Sequence, residues 1–205
     1  MEEIGLFPLG IVLLPTERVP LHIFEPRYRE LIGECVEGGR EFGLVYAADD
    51  GLQAIGTRAA VSEVTRRFED GRLDIVVEGG VRFRLLGLTT GRSFHTGRVE
   101  ALADIPDPAP AVRIDQALAL FARVVEAAGA DAETPAADHP QLSFALAGCF
   151  ELAATVKQDL LQRTSESVRL ALVCEILERA HTAVVRRREI HEVAQGNGRV
   201  HPPAV

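Results

Sequence analysis

A chain of 205 residues with 47% hydrophobic and 25% charged side chains has the composition of a folded globular protein, long enough for one domain or two small lobes. Its net charge of −8 argues against a phosphate-backbone partner, which needs clustered cations, and no apolar run approaches the ~20 residues of a membrane span. Met1-Glu2-Glu3 is acidic and the apolar run at 10–14 is too short for a signal peptide, so a cytoplasmic location without membrane contact is expected.

The strongest local signal comes early. Val19, Leu21 and Ile23 alternate with Pro20, His22 and Phe24, the period of a strand with two different faces. Pro20 has no N–H for a ladder, so it marks an edge or a strand start. Glu25-Pro26 then switches the period. Proline suits the first helical position, and Tyr28, Leu31, Ile32, Cys35 and Val36 share one stripe that Gly38-Gly39 ends.

Phe42, Leu44 and Tyr46 alternate with Gly43, Val45 and Ala47, and Asp49-Asp50-Gly51 closes a turn. Residues 55–68 form a long strand or a pair of strands. Glu69-Asp70-Gly71 is the best hairpin signal, because Asp-Gly accepts the positive φ of a two-residue turn. Leu73, Ile75 and Val77 follow on one face. Gly79-Gly80 permits a sharp bend, after which Val81, Phe83 and Leu85 alternate with Arg82, Arg84 and Leu86, and 94–102 is a last strand. Six or so short strands around one helix predict a small closed or semi-closed barrel, which hides its edges.

Ile105-Pro106-Asp107-Pro108-Ala109-Pro110 predicts an extended connector. After it Leu118, Phe121, Val125 and Ala128 form a helical stripe ending at Gly129, and 130–140 is a loop. A short helix over 142–150 and another from about Thr155 follow. A fourth starts after Thr164-Ser165, where a hydroxyl can cap free N–H groups and Glu166 suits the positive end of the helix dipole. Val168, Leu172 and Ile176 on one side, with Leu170, Val173 and Leu177 beside them, make this helix the centre of the helical lobe. The domain reading is therefore a β lobe over 1–104, a helical lobe over 111–194 and a disordered tail over 195–205.

Cys35, Cys149 and Cys174 are widely spaced in apolar helical contexts and read as buried free thiols. No phosphate-binding loop or nucleophile elbow is present. The histidines never fall at metal-ligand spacing, and a Ser–Lys dyad would have to use Lys157, the single lysine. No cofactor, metal or catalytic residue is expected, and the chain does not read as an enzyme.

The run from Leu6 to Ile32, LFPLGIVLLPTERVPLHIFEPRYRELI, resembles the start of the Lon N-terminal (substrate-binding) domain family. Ile55-Gly56-Thr57, the run FEDGRLDIVVEGGVRFRL at 68–85, Lys157-Gln158-Asp159-Leu160-Leu161 and Ser167-Val168-Arg169-Leu170 fit that family's order, over about 4–185. The resemblance implies an α+β fold, with a PUA-like β-barrel or pseudo-barrel first lobe followed by an α-helical bundle lobe. It also implies a non-catalytic polypeptide-binding module without the ATPase and protease of Lon. Its partner would be unfolded polypeptide or another protein, with a separate protease or chaperone to receive the cargo.

Two stretches are candidates for that contact. The loop over 8–19 is apolar at Gly10-Ile11-Val12-Leu13-Leu14, so Leu13 and Leu14 could form a hydrophobic lip, although a buried first barrel strand over 10–14 is the simpler reading. His22, Phe24, Arg27 and Tyr28 project from a strand end and the helix start beyond it, and could line a groove for extended chain. Against that, Phe24 fits the core, Glu25 could cap the helix and Arg27 could tie it to the sheet. Arg82 and Arg84 read as a polar strand face paired with Asp74 or Glu78. RNA binding is the alternative for a PUA-like barrel, but Trp is absent and the arginines are dispersed, so nucleic acid is not the expected partner.

Overall fold

The computed structural model describes residues 2–49 and 51–196, with the side chains of residues 189 and 191–196 outside the description. In chain order the elements are β1 (Glu2–Leu9), β2 (Arg18–Ile23), α1 (Pro26–Gly38), β3 (Phe42–Ala48), β4 (Gly51–Leu52), β5 (Ile55–Arg67), β6 (Leu73–Thr89) and β7 (Thr96–Ala101). The helices α2 (Ala111–Ala128), α3 (Leu142–Ala147), α4 (Ala154–Gln162) and α5 (Glu166–Gly196) follow. The expected disordered tail from 195 falls partly on α5, and residues 197–205 lie outside the described residues.

Five strands close a ring. β1 pairs antiparallel with β7, β7 with β6, β6 with β5 and β5 with β3, and β3 returns to β1 in parallel. The ring is narrow and is filled by Ile4, Leu6, Val45, Phe83 and Val99. Strand β6 is long enough to leave the ring, and its first half carries β2 as an edge strand through pairs from Arg18↔Glu78 to Ile23↔Leu73. Pro20 lies within that edge strand, as its missing N–H requires.

The two-faced pattern of β2 and the stripe on α1 now have one explanation. Ile23, Leu73, Ile75 and Val77 from the sheet pack against Tyr28, Leu31, Ile32 and Cys35 from α1. Pro26 stands at the start of the helix, and Gly39, with φ 59°, ends it by donating its N–H to the Cys35 carbonyl. Glu25 does not cap this helix; its carboxylate pairs with Arg27 at 2.9 Å instead.

The β and helical regions share a core. Val12, Leu14 and Ile55 join Leu120, Phe121, Phe144, Leu161, Leu170 and Leu177 in one apolar cluster. Each such side chain is worth about 1.5–3 kcal/mol when buried, so the helices depend on the β region for several kcal/mol of their packing. The connector over 105–110 is irregular, as its prolines require.

A buried ion cluster sits at this junction. The Arg169 guanidinium donates to Asp104 at 2.7 and 2.5 Å, to Glu166 at 2.6 Å, to Ser143 Oγ at 3.0 Å and to the Arg163 carbonyl at 2.8 Å. Arg82 reaches the same Asp104 and donates to the carbonyls of Leu161 at 2.7 Å and Arg163 at 2.6 Å. Both guanidinium groups lie over the Phe144 ring. Burial pushes Arg82 down from its ordinary value. For Arg169 burial acts in the same direction, but Asp104 and Glu166 outweigh it and the net shift is upward. Glu166 also accepts the Ser143 backbone N–H at 2.8 Å, serving the start of α3 as well as its own helix. Ser165 caps α5 as expected, accepting the Val168 N–H at 3.0 Å.

Several local expectations are corrected. The 10–14 run is not a strand but part of the loop between β1 and β2, although Val12, Leu13 and Leu14 are buried. The β5–β6 hairpin has a three-residue loop: Gly71 alone takes positive φ, at 84°, after a turn closed by the Gly71 N–H to the Phe68 carbonyl. Arg82 does not pair with Asp74 or Glu78; it is buried against Asp104, and Arg84 pairs with Glu100 at 3.6 Å. On α2 the buried stripe is Ala117, Leu120, Phe121 and Val124, about one residue off the expected one, and Ala128 is exposed. Val168 on α5 is exposed as well.

Cys149 also departs from expectation. It lies in the turn after α3 and is exposed, whereas Cys35 and Cys174 are buried. Burial raises the pKa of both of those thiols, and partial desolvation of the Cys149 sulfur raises that one too. With an aromatic disulfide reagent at pH 8, one thiol of three is expected to react in the native protein, faster as pH rises, and the other two only after denaturation. Mass mapping of the labelled cysteine checks which one it is.

Candidate functional site

The expected contact residues separate into two groups. Leu13 and Leu14 are fully buried and form no lip. Tyr28 is 4% exposed, its ring 4.2 Å from that of Phe7, and so belongs to the core. Arg27 is half-buried over the Tyr28 ring, paired with Glu25 and with Nη1 3.5 Å from His95 Nε2. Its work is to fasten the start of α1 to the β6–β7 loop, close to the tie expected of it.

His22 and Phe24 remain at the surface, and Phe24 is 60% exposed. That exposure settles the choice between core and surface for this residue. The imidazole stacks on Phe24, with centroids 6.0 Å apart and planes 21° from parallel, and meets Phe68 edge-on at 5.8 Å. Two guanidinium groups lie over the Phe68 ring, Arg66 at 4.5 Å and Arg72 at 4.9 Å. Three strands build this patch. His22 on β2 stands opposite Asp74 on β6, and Asp74 stands opposite Arg66 on β5, so all three side chains share the outer face. The His22 Nδ1 to Asp74 distance of 2.5 Å fixes the ring, and Arg72 pairs with Asp70 at 2.7 Å.

The patch is therefore three rings and two guanidinium groups held in place from below, with one ring mostly in water. Such a surface offers apolar area at small entropy cost and a preference for aromatic or acidic side chains. Phe68, Arg66 and Arg72 were missing from the sequence expectation. The hairpin signal marked their neighbourhood, but their meeting with His22 depends on pairing between distant strands.

No group of three or more His, Cys, Asp or Glu is placed to hold a metal ion among the described residues. The Lys157 amine is engaged with the Glu17 carboxylate, which also accepts the Leu14 backbone N–H at 2.9 Å. No described helix is long and apolar enough to cross a membrane.

These features define a mixed α+β protein with a pseudo-barrel of strands, and a supported aromatic surface on the part of the sheet that extends from it. The chain belongs to the ATP-dependent protease La (LON) substrate-binding domain family, whose model matches residues 3–179. It is 28% identical over 215 residues to a Lon protease of Paraburkholderia phytofirmans; the match covers 96% of this chain and 26% of that protein, so the chain spans about a quarter of that relative's length. Among solved structures it is similar to a Lon N-terminal domain protein from Xanthomonas campestris, with TM-score 0.65 and 26% identity, covering 83% of this chain and 96% of the other. The N-terminal domain of a Mycobacterium avium complex Lon protease shares the fold at TM-score 0.60 and 16% identity, covering 86% and 98%.

Proposed function

We propose that this protein is a non-catalytic module that holds unfolded polypeptide in the cytoplasm, in the manner of the substrate-recognition part of a Lon protease, for a separate protease or chaperone to take on. The observation that carries the reading is the exposed Phe24, backed by His22 and Phe68 and flanked by Arg66 and Arg72, in a member of a substrate-binding family. Unfolded chains expose aromatic and apolar side chains that folded proteins hide, and a rigid aromatic platform binds them with little dependence on sequence.

The test is fluorescence anisotropy with labelled β-casein, which is unfolded in solution. Binding at micromolar concentration is expected, and the Phe24→Ala/Phe68→Ala pair should weaken it by about tenfold. Phe24 is mostly solvated, so Phe24→Ala alone should keep the thermal midpoint close to that of the parent. No detectable binding at tens of micromolar by the folded protein would sink this function.

One observation favours RNA as a second reading, because rings flanked by arginines are also what unstacked bases rest on. Asp70 and Asp74 pair with Arg72 and His22 in the same patch, and the net charge is −8, which places polypeptide first. A salt-sensitive gel shift with single-stranded RNA would reverse that order.

A further inference from the structure

The ring leaves one long strand edge open. β5 pairs with β3 only as far as Ala59, so along 60–67 its second side faces no strand among the described residues. A series of strand N–H and C=O groups without a strand partner is a ready template for an extended polypeptide backbone. Two other edges are blunted. Pro20 interrupts β2, and β4 is two residues long, whereas 60–67 contains no proline.

A groove of about 280 Å³ runs along this edge, with Cys35, Val36 and Arg40 on one wall and Val61, Ser62 and Val64 on the other. Val36, Val61 and Val64 are half-buried and offer apolar seats for alternate side chains. At the hairpin end of the strand, Arg66 and Arg67 form no ion pair among the described residues; Arg66 rests on Phe68, with Asp74, bound to His22, opposite it on β6.

We propose that the 60–67 edge of β5 takes an extended, unfolded polypeptide segment as an added strand, apolar residues alternating into the groove and acidic residues beside Arg66 on one face and Arg67 on the other. This rests on the polypeptide-binding function above and adds the place and mode of contact. Eight residues of strand span about 26 Å, enough for main-chain hydrogen bonds to supply affinity whatever the sequence. The cargo would then continue past Arg67 onto the aromatic patch. A second copy of this chain is the poorer occupant. The register of β5 shifts between Val61 and Glu63 and again between Val64 and Arg66, which spoils the regular ladder that two copies would need, whereas a flexible segment can follow a bulged edge.

Hydrogen exchange of the full chain with and without β-casein tests this. Alternate backbone amides within 60–67 should gain about tenfold or greater protection in the complex, and Arg66→Glu/Arg67→Glu should weaken casein binding several-fold. Casein binding with unchanged exchange at 60–67 would overturn the edge proposal and leave polypeptide binding standing. Absence of casein binding would overturn both. Protection of the same amides in the protein alone, rising with its concentration alongside a dimer, would give the edge to a second copy and also overturn the proposal.

Discussion

Arg169→Ala is expected to lower stability by about 3–5 kcal/mol, the scale for breaking a buried ion pair from one side. Arginine has five N–H donors, and at Arg169 five hydrogen bonds are made, to Asp104, Glu166, Ser143 and the Arg163 carbonyl. The side chain is 0% exposed, so no water can replace it without a cavity. Alanine would leave the Asp104 and Glu166 carboxylates short of partners and the face of Phe144 bare. The loss should spread, since Asp104 also holds Arg82 on β6 and Glu166 also holds the start of α3. Arg179→Ala on the same helix is the control. Its pair with Glu175 at 3.2 Å is exposed on both sides, and such pairs contribute about 0–1 kcal/mol. Urea unfolding of the two variants gives the comparison, and a fall in Tm of roughly 10 °C should accompany the first. Equal costs for Arg169→Ala and Arg179→Ala would refute the view that this cluster fastens the helices to the barrel.

The cluster also shows where sequence reading stops. Period-two alternation assigned Arg82 to an outer strand face because it counts residues and assumes an unbroken ladder. Between Ala59↔Gly79 and Thr57↔Arg82 the pairing advances two residues on β5 and three on β6. That extra residue shifts the parity, sends Val81 into solvent and turns Arg82 inward. Nothing local in Gly80-Val81-Arg82 announces it. What was legible was local: the Pro26 and Gly39 limits of α1, the Ser165 cap, the proline connector and the hairpin at Gly71. The same division runs through the candidate site. His22 and Phe24 are two residues apart and could be named together, while Phe68 reaches them only because β2 pairs with β6 some fifty residues away. Leu13 and Leu14 mark the other limit. An apolar loop and an apolar lip have the same composition, and the difference lies in whether another segment leaves room to bury it.

That room is made by Gly79, and Gly79→Ala should cost about 3 kcal/mol, the upper range for forcing extra atoms into a packed interior. A Cβ there would lie 2.1 Å from the Leu14 carbonyl oxygen and 3.1 Å from Leu13. The first is a backbone atom that cannot swing aside, and the second is the Leu13 side chain, which is held in the core under α1. The Gly79 carbonyl accepts the Thr16 N–H at 2.7 Å and its N–H donates to the Glu17 carbonyl at 2.9 Å, so the loop is bonded to the glycine it would have to leave. Displacing it would pull Leu13 from the core under α1 and Leu14 from the helical core together. It would also strain the Thr57 hydroxyl bond to the Leu13 carbonyl and the pairing of Glu17 with Lys157 on α4. Gly80→Ala is the matched comparison, because its nearest neighbours are the Glu41 carboxylate at 3.3 Å and a carbonyl at 3.5 Å. With neither glycine at positive φ, the second substitution should stay within about 1 kcal/mol of the parent, helped by the lower chain entropy of alanine in the unfolded state. Denaturant midpoints of the two variants decide the matter. A Gly79→Ala protein as stable as Gly80→Ala would mean that the loop is not seated against β6 and does not couple the barrel to the helices.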